Sequence, residues 1–146
     1  MAIRAFAPSD LTPVLEIYAL SKLDELANEA YVPELVPLDR DPPRFASFKQ
    51  SSVYVYETTQ LLGFAAYSGN EITALFVHPA ARGQRIGRTL LEHLLALVPP
   101  DCCLHVAASN TAAMALYRQY GFEISAHFQA HYNGVPVAAA TMRRTV

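Results

Sequence analysis

The sequence predicts a mixed α/β fold of about seven strands and about four helices, in the order β-α-α-β-β-β-α-β-α-β-β. Three observations carry that prediction. Residues 52–58, 61–67 and 71–77 are strand-like stretches joined by the tight connections Thr59-Gln60 and Ser68-Gly69-Asn70, and they read as an antiparallel meander. The third stretch runs into a basic, glycine-containing turn and then a helical stripe. A second strand-to-helix passage follows at 102–120, and two last strand-like runs are joined through Asn133-Gly134. There is no internal repeat or low-complexity segment, so residues 1–146 read as one domain.

In chain order, residues 2–7 (AIRAFA) alternate well enough for a first strand. Ser9 or Thr12 is suited to cap the next element, with Pro13 at a first-turn position. Val14, Leu15, Tyr18, Leu23 and Leu26 give that helix its apolar stripe. Pro33, Pro37, Pro42 and Pro43 punctuate 28–44, which reads as a loop with short helical turns, closed by a short helix at 45–49. In 52–58, Val53 and Val55 face one way and Tyr54 and Tyr56 the other. Gly63 marks a bulge or a close approach in the following strand. Ile72, Ala74, Leu75, Phe76 and Val77 make 71–77 a buried strand, which Pro79 ends because proline cannot donate to a ladder. A helix from Gln84 to near Pro99-Pro100 places Ile86, Leu90, Leu91, Leu94, Leu95 and Val98 on one stripe. Residues 102–107 form a strand. Asn110 caps a helix in which Ala113, Leu116, Tyr117 and Tyr120 share a face, and Gly121 ends it. The last two strands are 122–128 and 135–143.

Hydrophobic residues are 52% of the chain, enough for a sizeable core and too many for a disordered segment. The net charge of −2 gives no global reason to expect nucleic acid or an anionic membrane as partner. The two cysteines, Cys102 and Cys103, are adjacent, which is neither a zinc spacing nor a disulfide framework, and they read as buried thiols in a strand. Residues 1–8 lack the basic and apolar regions of a signal peptide, and no apolar run approaches the length of a membrane span. A reducing, cytoplasmic setting is the expectation. No ligand spacing for a metal is present.

The stretch Arg82-Gly83-Gln84-Arg85-Ile86-Gly87-Arg88-Thr89 opens a helix, whose first turn has unpaired N–H groups and the positive end of the macrodipole. With Arg82, Arg85 and Arg88 added, it is built to hold a phosphate or pyrophosphate. It is not a P-loop, because no Lys-Ser or Lys-Thr follows the second glycine, and its G-x-x-x-G spacing is not the dinucleotide fingerprint. Alone it is a weak signal. The second segment, Asn110 to Phe122, reads N-x-x-A-x-x-L-Y-x-x-x-G-F. Together, in this order and spacing, the two segments resemble the GNAT superfamily of acetyl-CoA-dependent N-acetyltransferases, of which the chain looks like a bacterial-type member. The first matches the family's pyrophosphate loop, R/Q-x-x-G-x-G/A, at Arg82 and Gly87. It departs where the first glycine often stands, at Arg85, which a right-handed helical position there would tolerate.

The resemblance implies a single GNAT domain over 1–146, with a mostly antiparallel sheet splayed between its fourth and fifth strands. It implies that pantetheine lies in the splay, bonded to the backbone near Phe76 and Val77, one of whose amides polarises the thioester. Backbone amides from Gln84 to Thr89 (Gln84, Arg85, Ile86, Gly87, Arg88 and Thr89) would hold the pyrophosphate, with Arg82 and Gly83 beside them. Asn110 would bond the cofactor as well as cap its helix. Tyr117 matches the family's usual general acid, protonating the leaving thiolate, and a phenol of ordinary pKa about 10 can do so. For the general base the candidates on or beside the splayed strands are Glu71, His78 and His105. Acceptor-site candidates are Tyr31, Glu34 and His131, within a pocket expected from 31–45 and from a late loop at 127–134. The acidic residues Asp24, Glu25, Glu29, Glu34, Asp39 and Asp41 would suit a cationic amine, or form only a solvated face.

The activity expected from the resemblance is transfer of acetyl from acetyl-CoA to a primary amine by direct attack, with no metal. A small-molecule acceptor is expected ahead of a protein. Ribosomal-protein N-terminal acetyltransferases usually carry a glutamate in the strand before Asn110, where this chain has His105. The alternatives are a protein N-terminal or lysine acetyltransferase, and a non-catalytic acyl-CoA-binding sensor or regulatory module. A monomer and a homodimer are both compatible with the sequence.

Overall fold

The computed structural model describes residues 2–145; the expected domain's end residues, 1 and 146, lie outside the described residues. Seven strands form a single sheet in the order β1-β2-β3-β4-β5-β7-β6. They are β1 (Ile3–Ala5), β2 (Ser52–Glu57), β3 (Leu61–Ser68), β4 (Glu71–Val77), β5 (Cys103–Ala107), β6 (Phe122–Tyr132) and β7 (Val135–Arg144). Neighbouring strands are antiparallel except β4 and β5, which run parallel. Helices α1 (Leu11–Ser21) and α2 (Pro42–Gln50) cover one face, and α3 (Ile86–Leu95) and α4 (Thr111–Arg118) the other.

The alternation in β2 sorts its side chains as expected. Val53 and Val55 pack with α1 and α2, whereas Tyr54 and Tyr56 lie against the core built on α3. Gly63 is a close approach: a Cβ there would stand 2.9 Å from the Phe76 carbonyl oxygen and 3.1 Å from Leu90. Its missing side chain lets α3 seat directly on β3. In β4 the register steps from Ala66↔Ala74 to Tyr67↔Ile72, so Thr73 is the extra residue of a bulge. The bulge puts Ile72, Leu75 and Val77 on the α3 face, and Ala74 and Phe76 on the α1–α2 face.

Several local expectations are corrected. Neither Ser9 nor Thr12 caps α1; instead Asp10, at the N-cap position, accepts from the Ala7 N–H at 2.7 Å and from Arg4 at 2.8 and 2.9 Å. The first helix stops at Ser21 and tightens into a 3-10 turn, Lys22–Leu26, which carries the rest of its apolar stripe. Pro42 and Pro43 do not only break the chain. They occupy the first turn of α2, where proline's missing N–H costs nothing. The helix expected from Gln84 begins at Ile86. The late loop at 127–134 is absent as a loop, because β6 continues to Tyr132 and turns on Asn133 and Gly134, with φ of 50° and 75°. Both values suit a two-residue hairpin turn. The length of β6 carries no sequence signal because it is the sheet's edge and most of its residues are exposed, so hydrophobic alternation is lost.

Candidate active site

Strands β4 and β5 pair only at Glu71↔Cys103 and Ile72↔Leu104, where the Cys103 N–H also reaches Asn70 O at 2.8 Å. Beyond that point β4 stays with β3 and β5 with β7, and the two diverge. A cleft of about 620 Å³ fills the splay, with Leu75, Phe76 and Val77 on one wall, Leu104 to Ala107 on the other, and Asn110 and Tyr117 closing it from α4. The His78 N–H is bonded to Leu62 O at 2.7 Å. Antiparallel ladders alternate, so the N–H and C=O of Phe76 turn to β3, and those of Leu75 and Val77 turn to the splay. Of the two expected amides, Val77 is therefore open to the cleft and Phe76 is not; Leu75 joins Val77.

The basic turn leads from β4 to α3. His78 Nδ1 accepts the Ala80 N–H at 3.0 Å, so this base candidate caps the 3-10 turn Pro79–Ala81. Gly83 and Arg85 both take left-handed backbone, with φ of 81° and 61°. Arg85 is thus not yet right-handed helix, contrary to the condition under which its side chain would be tolerated without cost. The first-turn N–H groups of Ile86, Gly87 and Arg88 have no acceptor within α3. Thr89 differs from the others expected here: its N–H and its hydroxyl both donate to Arg85 O, at 3.0 and 2.8 Å. Gly83, Gln84 and Arg85 are exposed, and Ile86 turns its side chain into the core while leaving its amide at the helix end. A Cβ at Gly87 would meet only Val77 Cγ2, at 3.6 Å. Arg82 is ion-paired with Asp24.

On the opposite lip, Asn110 Oδ1 accepts the Ala113 N–H at 3.3 Å and caps α4. One helical turn beyond Ala113, Tyr117 lies edge-on to Phe122, with ring centroids 5.9 Å apart, and lines the cleft. Burial, helped by the nearby Glu25 charge, pushes the Tyr117 hydroxyl up to about 12. It therefore keeps its proton at neutral pH.

His105 also lines the cleft. Its Nδ1 hydrogen-bonds Thr141 Oγ1 at 2.9 Å, its Nε2 lies 3.8 Å from Glu71 Oε1, and its ring stands edge-on to Phe128. Two of the three base candidates, His105 and Glu71, are thus brought together where β4 and β5 part. His131 reaches the cleft, and its carbonyl accepts from Arg44 at 3.1 Å. Tyr31 and Glu34 are not part of the cleft lining. Tyr31 is 64% exposed, and Glu34 is exposed, with its carbonyl accepting from Asn133 Nδ2 at 3.2 Å.

Lys22, Glu25 and Arg44 line the cleft, and sequence reasoning did not single them out as a group. The only signal was the Lys22–Glu25 spacing, which places an ion pair one turn apart at 2.5 Å. The acidic stretch is largely neutralised: Asp24 pairs with Arg82, Glu25 with Lys22 and Asp41 with Arg44, while Glu29 accepts from Ser109. With Asn28 Nδ2 donating to Ser109 O at 3.1 Å, residues 24–29 are fastened to both lips of the cleft.

The family model described as "Acetyltransferase (GNAT) domain" matches residues 49–124, the span from the end of α2 to the start of β6. The chain belongs to the GNAT acetyltransferase family. Among curated relatives, it is 34% identical over 84 residues to the peptidyl-lysine N-acetyltransferase YjaB of Salmonella typhimurium, a match covering 58% of this chain and 57% of that one. It is 39% identical over 75 residues to the N-alpha-acetyltransferase RimI of Mycobacterium tuberculosis, covering 51% and 48%. The matches thus span about half the length of these relatives. Among solved structures, a GCN5-related N-acetyltransferase from Rhodopseudomonas palustris has the same fold, with a TM-score of 0.80 at 20% identity over 99% of this chain and 95% of that one.

Proposed function

We propose that this chain is an N-acetyltransferase that moves an acetyl group from acetyl-CoA to the primary amine of a small molecule. The observation that carries this reading is the β4–β5 splay. It joins the open amides of Leu75 and Val77, the α3 N-terminus and the Tyr117 hydroxyl in one continuous cleft.

The residues fit a bound acetyl-CoA. Ile86, Gly87 and Arg88 offer N–H donors for a pyrophosphate, with Arg85 and Arg88 supplying charge. The open backbone edge of β4 offers the partners an extended amide-bearing chain needs. Acetyl-CoA supplies the activated thioester. The Val77 N–H donates to the oxygen that gains charge during acyl transfer. His105, held by Thr141 beside Glu71, takes the amine's proton through water. Tyr117 gives its own proton to the departing thiolate as the C–S bond breaks and the C–N bond forms.

The test is calorimetric titration with acetyl-CoA together with release of free thiol across an amine panel. Micromolar binding that a Gly87→Trp variant loses, with thiol release dependent on amine, supports the reading. Gly87 lies in the first turn of α3 with room for a Cβ, and an unchanged circular dichroism spectrum checks that the variant folds. Absence of binding overturns the reading. Binding without turnover of any amine instead selects a non-catalytic acyl-CoA sensor. The name of the YjaB relative favours a second reading, a protein lysine acceptor, which a lysine peptide in the panel distinguishes.

A further inference from the structure

Tyr18, Lys22 and Arg44 meet on the α1–α2 side of β4, and the transferase chemistry above uses none of them. A recess of about 110 Å³ opens there, and Lys22, Arg44 and Phe76 are common to its wall and to the wall of the main cleft. Two features of the recess point to an occupant. The first is an orphan hydroxyl. Tyr18 is only 3% exposed, lines the recess, and its hydroxyl has no hydrogen-bond partner. A buried donor left unpaired is costly, so an arriving acceptor group is favoured. The second is charge. The lining holds two cations, Lys22 and Arg44, and no carboxylate.

The carboxylates that balance these cations stand outside the recess. Lys22 Nζ is 2.5 Å from Glu25 Oε1, and Arg44 Nη1 is 3.1 Å from Asp41 Oδ2. Glu25 lines the main cleft instead, close enough to Tyr117 to perturb its hydroxyl. The recess lining thus presents its two cations and no carboxylate, whereas the lining of the main cleft mixes both signs. Aromatic rings hold the cations in place: Lys22 Nζ lies 5.8, 5.9 and 5.3 Å from the centroids of Tyr18, Phe76 and Tyr132, and Arg44 Cζ lies 4.9 Å from that of Tyr132. With Lys22 only 12% exposed at its side chain, an anion reaching it is poorly screened by water.

We propose that the acceptor is a small zwitterion of the amino-acid class, its carboxylate seated in the recess against the Tyr18 hydroxyl, Lys22 and Arg44, and its amine directed into the cleft. This rests on the transferase reading. A polyamine or the side chain of a protein lysine lacks the anion and leaves the recess unfilled.

The experiment is calorimetric binding to the protein saturated with CoA, which reads the acceptor site without turnover. The probes are the twenty common amino acids, their primary amides, spermidine and a neutral lysine-containing tetrapeptide amide. At least one acid should bind tenfold or more tightly than its own amide. Lys22→Met and Tyr18→Phe should each erase that preference while acetyl-CoA affinity stays within twofold. Arg44→Gln serves as the third variant should either of these fail to fold. Equal binding of acids and amides, binding of only spermidine or the peptide, or no binding by any probe overturns the proposal. Failure of the transferase reading is seen separately, as loss of acetyl-CoA binding by the wild-type protein, and the proposal falls with it.

Discussion

Arg85 holds φ at 61° in a turn where the family often places glycine. A left-handed backbone costs a non-glycine residue roughly 1–2 kcal/mol, part of which is returned because glycine is freer when unfolded. Arg85→Gly is therefore expected to stabilise the protein by about 0.5–1 kcal/mol, read as a higher midpoint in denaturant. If the guanidinium contributes to phosphate binding, the same variant binds acetyl-CoA more weakly. Unchanged affinity would assign the binding to the backbone amides. Tyr117 carries the other residue-scale prediction. Its hydroxyl is raised to about 12, above the ordinary value of about 10, so it remains protonated throughout the neutral range, and any associated stability is fully present below about pH 10 and is lost as pH rises from there through about 12. Tyr117→Phe should lower chemistry-limited turnover by roughly a hundredfold while leaving acetyl-CoA affinity nearly unchanged. Equal turnover would remove Tyr117 from proton transfer.

At the scale of elements, the site depends on how two strand-to-helix passages end. The β4 bulge at Thr73 resets the alternation, so that Val77 faces α3 while Phe76 faces α1 and α2. The Thr73 hydroxyl shares a hydrogen bond of 2.8 Å with Ser51, which ties the bulge to the end of α2. On the other passage, α4 has only eight residues and depends on its cap. Asn110→Ala is expected to cost about 1 kcal/mol by thermal unfolding. Because α4 positions Tyr117, the variant should also lose turnover in proportion to fraying of the helix. A variant as stable as the parent would show that packing, not the cap, holds α4.

For the whole molecule, the sheet's two covered faces place the cleft between separate cores. The segment from Asp24 to Glu29 links its two lips through Arg82 and Ser109. At the far edge of the sheet, Asp10 joins β1 to the start of α1. The Arg4 guanidinium holds the Asp10 carboxyl below its ordinary value, against the opposing effect of burial, and the Ala7 N–H adds to the lowering. A depressed carboxyl stabilises the fold above the unfolded-state pKa of about 4 and loses that contribution as pH falls through the folded value. Unfolding measured between about pH 2 and 7 should show wild type more stable than Asp10→Asn at neutral pH, with the gap narrowing below about pH 4. A gap independent of pH would assign Asp10 a purely geometric role.

What the sequence determined by itself are features whose energetics close within a few residues. The alternation of Val53 to Tyr56, the Asn110 cap and the stop near Gly121 are of this kind. The pairing of two distant motifs is enough to point to the family, and the splay follows from that resemblance rather than from any local pattern. Tertiary structure decided where β4 and β5 part, and with it which amides face the cleft, because that depends on β3 and β7 competing for them. It also decided that β6 runs to Tyr132 and that Tyr18, Lys22, Arg44 and Tyr132 converge. The contacts of Tyr132 join residues 88 positions apart with Arg44 and 110 apart with Lys22, and no local periodicity records them.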